Sequence, residues 1–164
     1  MNRGRALLAS TVFLCLGPGT VAGLIPWWIS GWQMQPAFLG FRPLRWLGAL
    51  FIAAGLPVLL ESFARFALEG RGTPAPVLPT ARLVMHGFYR FVRNPMYAAV
   101  VSVILGQALL LANAWLLLYA ALVWAGFHLF VLLYEEPKLR RTYGAEYDEY
   151  CARVHRWLPQ RPSL

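Results

Sequence analysis

The chain has 164 residues, of which 59% are hydrophobic and 13% charged. A soluble domain carries roughly 45–50% apolar and about 25% charged residues, and a chain of this length cannot hide such an excess inside itself, so the composition points to a bilayer and excludes disorder, a coiled coil and a disulfide scaffold. Fifteen Lys+Arg against 7 Asp+Glu give a formal charge of +8; on an apolar chain this reads as basic loops held against anionic headgroups rather than as a nucleic-acid surface.

The first uncharged run, Ala6–Ile29, is long enough to span at about 1.5 Å per residue. Gly17-Pro18-Gly19 and Pro26 predict kinks in it. A signal peptide is the rival reading, but Leu24–Ile29 continues the apolar run past any cleavage site near Val21-Ala22-Gly23. Gly31–Arg45 is a connector. A second span is expected from about Leu44 to Phe66, with Glu61 and Arg65 at i,i+4 spacing to pair near the interface. Ala67–Arg93 is broken by Gly70, Gly72, Pro74, Pro76 and Pro79 and reads as a loop. Met96–Tyr134 then runs without a formal charge. Its length exceeds one crossing of a roughly 30 Å hydrocarbon core, and Asn113 marks the turn of a hairpin, Met96–Ala112 and Ala114–Tyr134.

These readings give one all-α integral membrane domain over residues 1–164, with spans at about 6–29, 44–66, 96–112 and 114–134. A fifth, re-entrant helix is an option at Leu83–Phe91 or in the connector. With four spans, thirteen basic residues fall on the side of both termini and two, Arg42 and Arg45, on the other. That asymmetry predicts cytoplasmic termini. After Glu135, the residues Leu139, Tyr143, Tyr147, Tyr150, Val154 and Trp157 recur every three or four positions. They predict an amphipathic helix in the cytoplasmic interface, which Gly144 interrupts or bends.

Two clusters on that side carry chemistry. The first is His86-Gly87-Phe88-Tyr89-Arg90-Phe91-Val92-Arg93-Asn94-Pro95-Met96-Tyr97. Pro95 suits a first helical turn and Asn94 a cap. The helix N-terminus and Arg93 together suit a carboxylate. A plain capped helix entry is the bland alternative. The second cluster, Tyr134-Glu135-Glu136, puts two carboxylates at a helix C-terminus, where negative charge needs compensation from a cationic ligand or from Arg93 and Arg90. His128, seven residues earlier, is either a packing histidine or a wall of the same cavity. A carboxylate-binding end beside an ammonium-binding end matches the amino-acid part of S-adenosylmethionine. No Walker A sequence and no G-x-G-x-x-G follows a strand, and no Cys/His spacing suggests a metal.

In order along the chain, Gly87-x-Tyr89-x-x-x-Arg93-Asn94-Pro95-x-Tyr97, an apolar hairpin, Glu135-Glu136, Tyr147-x-x-Tyr150 and Pro159 resemble the isoprenylcysteine carboxyl methyltransferase and phospholipid methyltransferase superfamily. The resemblance covers about Thr73 to Pro159, and Gly72-Thr73-Pro74-Ala75-Pro76 is similar to the lead-in of the bacterial branch. It implies an integral membrane methyltransferase using S-adenosylmethionine, with a lipid or lipophilic substrate, in a bacterial-type inner membrane and with no metal or nucleic acid. It places Tyr89, Arg93, Asn94, Pro95 and Tyr97 around the cofactor, with His86 and Gly87 at the start of the motif and Glu135 and Glu136 completing the site. Arg93, Glu135 and Glu136 are the expected catalytic residues, either glutamate being a candidate base. Asn94 stands where carboxyl methyltransferases often have His; it donates a hydrogen bond but does not titrate, which weakens any transfer of the isoprenylcysteine substrate. The competing functions are a sterol-reductase-like NADPH enzyme and a non-enzymatic membrane scaffold in which Arg93 and Glu135 form a structural ion pair.

Overall fold

The computed structural model describes residues 11–68 and 83–160. Arg3, Arg5, the first residues of the expected first span, the Gly70–Arg82 stretch and Arg161 lie outside the described residues. The described residues are all helical or irregular, with no strand among them.

Helix α1 (Thr11–Ser30), helix α2 (Pro43–Arg65, its last turn reaching Leu68) and helix α4 (Ala114–Tyr143) are each long and apolar enough to cross a membrane. Helix α3 (Pro95–Leu111) is a shorter apolar helix, about 26 Å long at 1.5 Å per residue. Helix α5 (Ala145–Arg153) follows α4 after a break at Gly144, whose φ is +55°. Neither segment considered for a fifth span forms one. Leu83–Phe91 holds a four-residue 3-10 turn, Gly87–Arg90, and the connector a three-residue one, Phe38–Gly40.

The most enclosed helix is α3. Val100, Ile104 and Ala108 are buried along it, and α1, α2 and α4 pack around it. Small residues let α2 approach closely. A Cβ on Gly48 would meet the Gly106 carbonyl at 2.6 Å, one on Gly106 would meet the Gly48 carbonyl at 2.7 Å, and one on Gly55 the Ala99 carbonyl at 3.0 Å. In a bilayer such close packing supplies helix association, because lipid tails are as apolar as the helix faces. The Ser102 hydroxyl adds a hydrogen bond to the Phe51 carbonyl, at 2.9 Å.

Helix α1 contains a π turn, Thr20–Leu24. A π turn leaves carbonyls out of the regular ladder, and unmet backbone groups are costly in hydrocarbon. Side chains of other helices meet them here: Gln107 Nε2 donates to the Ala22 carbonyl at 2.7 Å and the Tyr119 hydroxyl to the Val21 carbonyl at 2.9 Å. Gln107 Oε1 in turn accepts from Trp32 Nε1 at 3.1 Å, which ties the connector to α3.

The hairpin turns at Asn113. Its side chain accepts from the amides of Trp115 and Leu116, and Ala112 takes the left-handed conformation that ends α3. At the far end α4 does not stop at Tyr134. It passes through a second π turn, Val131–Glu135, and continues to Tyr143. Leu118, Leu122, Leu129 and Leu133 of α4 stay exposed, the outward face a lipid-contacting helix needs. Beyond Gly144, Tyr147, Tyr150 and Val154 bury together with Leu139 and Tyr143 packed against them.

Candidate functional site

The site is built where the chain re-enters the bundle at the start of α3. Gly87 has φ +63°, and the Gly87–Arg90 turn buries Tyr89. The following strand of irregular chain is pinned to the C-terminal segment by backbone bonds: the Arg93 amide donates to the His155 carbonyl at 2.9 Å and the Gln160 amide to the Phe91 carbonyl at 3.0 Å. The Tyr150 hydroxyl donates to the Tyr89 carbonyl at 2.6 Å. Residues some sixty positions apart thus form one wall, and the tail from Tyr147 onward is part of the site.

Successive residues of a helix point about 100° apart, so Glu135 and Glu136 face different partners. Glu135, at the end of the π turn, faces α3 and accepts from the Tyr97 hydroxyl at 2.8 Å. Glu136 faces the C-terminal segment. Arg156 grips it through both oxygens, at 2.7 and 2.9 Å, and Arg93 Nη1 stands 3.1 Å from the same Oε1. The Glu136 side chain is only 7% exposed and that of Arg93 11%. The compensating charges are therefore Arg93 and Arg156; Arg90 instead lies over the Phe91 ring. Because α4 continues past them, the glutamates sit inside a helix and not at its C-terminus, which removes the dipole argument and leaves the guanidiniums as the counter-charge of Glu136. The ion pair formed by Arg93 is with Glu136, not Glu135.

Three further placements refine the sequence reading. Asn94 occupies the cap position of α3, yet its side chain makes no cap bond; Nδ2 donates to the Arg156 carbonyl at 3.1 Å. The first-turn amides of Met96 and Tyr97 are therefore left without a side-chain acceptor. Arg93, one residue before the cap, has a buried Nε with no hydrogen-bond partner among the described residues. His128 packs: it stacks on Trp124 and its Nδ1 accepts from Trp157 Nε1 at 3.0 Å. Among the described residues no group of His, Cys, Asp and Glu is arranged to hold a metal.

Tyr89 joins two polar regions. Burial, then the Glu135 charge, with smaller contributions from Tyr150 and Glu61, hold its phenol well above the ordinary range. Burial likewise raises Tyr147 and Tyr150, so all three are neutral hydrogen-bonding groups. Arg156 is raised by its bond to Glu136. His86 and Gly87 lie on the outer side of Tyr89, in an open cleft of about 420 Å³ with Glu61, Arg65, Phe88, Arg90 and Phe91. Two residues in this region escaped the sequence reading as parts of a site. Arg156 had only its charge to show, with no spacing linking it to Glu136. Glu61 was visible only as half of a helical ion pair.

The phospholipid methyltransferase pattern matches residues 44–146, well over half of the chain. The chain belongs to the phospholipid methyltransferase family. Two curated proteins of rice, from Oryza sativa subsp. indica and subsp. japonica, both called "Probable protein-S-isoprenylcysteine O-methyltransferase", are 36% identical to it over 78 residues. That segment is 48% of this chain and 41% of each rice protein, so the chain matches less than half the length of these relatives. The family match takes in α2, which the sequence motifs left aside, together with both clusters of the site.

Proposed function

We propose that this family member is an integral membrane methyltransferase that uses S-adenosylmethionine and methylates a small or lipophilic O, N or S nucleophile arriving through the bilayer. The observation that carries the cofactor reading is the unmet buried Nε of Arg93, a residue just before the uncapped first turn of α3 in the chain. A buried donor without an acceptor costs about 1–3 kcal/mol, and a carboxylate placed there would engage both it and the amides of Met96 and Tyr97. Glu135 has Oε2 held by Tyr97, with Oε1 available for an ammonium group. The residues present thus fit a zwitterionic amino-acid end, with Arg93 at one side and Glu135 at the other. Glu136 is saturated by two guanidiniums, so in this reading it positions Arg93 rather than contacting the cofactor. His86 and Gly87 belong to the neighbouring cleft, while Tyr89, Asn94, Pro95 and Tyr97 shape the cofactor wall.

S-adenosylmethionine supplies a methyl group already activated by its sulfonium. The protein's work is to hold the acceptor in line with it and keep water out. In this reading the chain crosses four times, α3 being the short central crossing, so both termini and the site share one side, and the excess of basic residues there marks it as the cytoplasmic face of a bacterial-type inner membrane. A soluble cofactor then enters from the water and a lipophilic acceptor from between the helices.

Calorimetric titration of the purified chain with S-adenosylhomocysteine, and separately with NADPH, tests the reading. Saturable binding of S-adenosylhomocysteine alone is expected, weakened at least tenfold in Arg93→Ala and in Glu135→Ala. Binding of NADPH alone would reassign the protein to the membrane reductases. Binding of neither by folded protein would favour the scaffold.

A further inference from the structure

The cleft beside Tyr89 holds an acid with an unmet demand. Glu61 lies near the end of α2, and its Oε1 accepts from Arg65 Nε at 2.7 Å. Its Oε2 is buried and has no hydrogen-bond partner among the described residues. An acceptor oxygen withdrawn from water calls for a donor. Gly87 lets the Glu61–Arg65 pair pack directly against the turn: a Cβ there would collide with Glu61 Oε1 and with Arg65 Nε. Phe88 and Phe91 give the same cleft apolar walls. The turn that lines the cleft, Gly87–Arg90, also carries the buried Tyr89, whose carbonyl is held by Tyr150, and runs on to Arg93, so the cleft adjoins the Arg93–Glu135 site along the chain.

We propose that this cleft receives the polar head of the methyl acceptor, that Glu61 Oε2 accepts the hydrogen bond of its nucleophilic O–H or N–H, and that the acceptor is therefore a protic nucleophile on an apolar body, such as a phenol or an amine, rather than a carboxylate. The inference rests on the methyltransferase reading above. A carboxylate acceptor, whatever the attraction of Arg65 and Arg90 in the same lining, brings no proton and leaves Glu61 Oε2 unmet. A phenol or amine offers the missing donor. In the transfer its oxygen or nitrogen forms a bond to the methyl carbon, the bond from that carbon to the sulfonium sulfur breaks with its electron pair left on sulfur, and the acceptor's proton passes to Glu61 Oε2. Glu61 thus takes the role of base that the sequence offered to Glu135 or Glu136, both of which have other work in this geometry.

The full chain in lipid nanodiscs is tested with a matched series: 4-dodecylphenol, 4-dodecylaniline, 4-dodecylbenzoate and dodecylbenzene. Binding is read as a shift in thermal unfolding, without cofactor, and methyl transfer as label passed from methyl-labelled S-adenosylmethionine. The phenol or the aniline should stabilise the chain more than dodecylbenzene and accept the methyl group, and the benzoate should do neither. Glu61→Gln should cancel that extra stabilisation and lower transfer about 10²-fold or more, the range of a lost general base. Its S-adenosylhomocysteine affinity should stay within twofold of wild type, which also shows the variant is folded. Glu61→Asp should recover part of the transfer. Wild-type transfer by Glu61→Gln, or preference for the benzoate, would overturn the proposal. Failure of S-adenosylhomocysteine to bind the wild type would overturn the cofactor reading instead, and would leave the Glu61-dependent shift with the phenol or aniline to decide the cleft by itself.

Discussion

At Glu136 two guanidiniums converge on one carboxylate that is almost wholly withdrawn from solvent. A buried ion pair adds little net stability over an apolar replacement, but removing the shared carboxylate would leave two uncompensated guanidiniums and cost about 3–5 kcal/mol; removing Arg156 leaves Glu136 paired with Arg93 and costs less, through the two charge-assisted hydrogen bonds that are lost. Arg156→Gln is therefore expected to destabilise the chain and to loosen the segment after Val154, because the Arg156 carbonyl also holds Asn94. Thermal unfolding and limited proteolysis of the purified protein measure both, and an unchanged midpoint with unchanged cleavage would refute the keystone role. Glu136→Gln should show the same phenotype more strongly, with Arg93 then released. The two glutamates were legible as a pair needing counter-charge, and Arg93 as one of the charges. Arg156 was not legible, because a tail arginine twenty positions away carries no periodic signal until the tail folds back.

The helices show which features a linear reading reaches. Asn113 as a turn and Glu61–Arg65 as an i,i+4 pair are local, and both appear as expected, with Glu61 and Arg65 2.7 Å apart. Gly17-Pro18-Gly19 marked α1 as irregular, but the π turn that follows them, met by Gln107 and Tyr119, was not legible, since those partners lie 85 and 98 residues away. Gly48 and Gly106 likewise look like ordinary glycines in the sequence; only the crossing of α2 and α3 gives them a reason. Gly106→Leu forces a side chain against the Gly48 carbonyl and Ile52. Overpacking of this kind costs typically about 1–3 kcal/mol, occasionally more, and backbone offers no give. We expect a lower unfolding midpoint in detergent and, since α2 carries Glu61, a weaker response to 4-dodecylphenol. Gly126, which has open space around its position, provides the control: Gly126→Leu should leave both unchanged.

For the whole molecule, the distribution of charge predicts an orientation and the fold sets what meets at the basic end. The end of α2, the Gly87–Arg90 turn, the start of α3, the Glu135–Glu136 step of α4 and the tail from Tyr147 onward gather at one end of the bundle. The exposed aromatic residues Trp28, Trp32 and Trp46 cluster near the other end, around the connector. Trp and Tyr favour membrane interfaces. Fusions of a cytoplasm-active and a periplasm-active reporter to the C-terminus, and to the connector after Gln35, test this arrangement in a bacterial host. The C-terminal fusion should score as cytoplasmic and the connector fusion as periplasmic. The reverse pattern, or the same side for both, would overturn the orientation and the number of crossings together.

Sequence alone determined what depends on composition and on neighbours within a few turns: a membrane chain, the approximate limits of its apolar helices, the hairpin at Asn113, the charge asymmetry and a family motif with ordered spacing. These follow from solvent preference and helical period, which act locally and are written residue by residue. Tertiary structure alone decided which charge neutralises which and which polar atoms are left unmet. It gave Glu136 to Arg93 and Arg156, Glu135 to Tyr97, His128 to packing, and it exposed Glu61 Oε2 and Arg93 Nε as buried groups in want of partners. Those outcomes depend on where distant segments are brought within about 3 Å of each other, the reach of a hydrogen bond, and no pattern along the chain carries that distance.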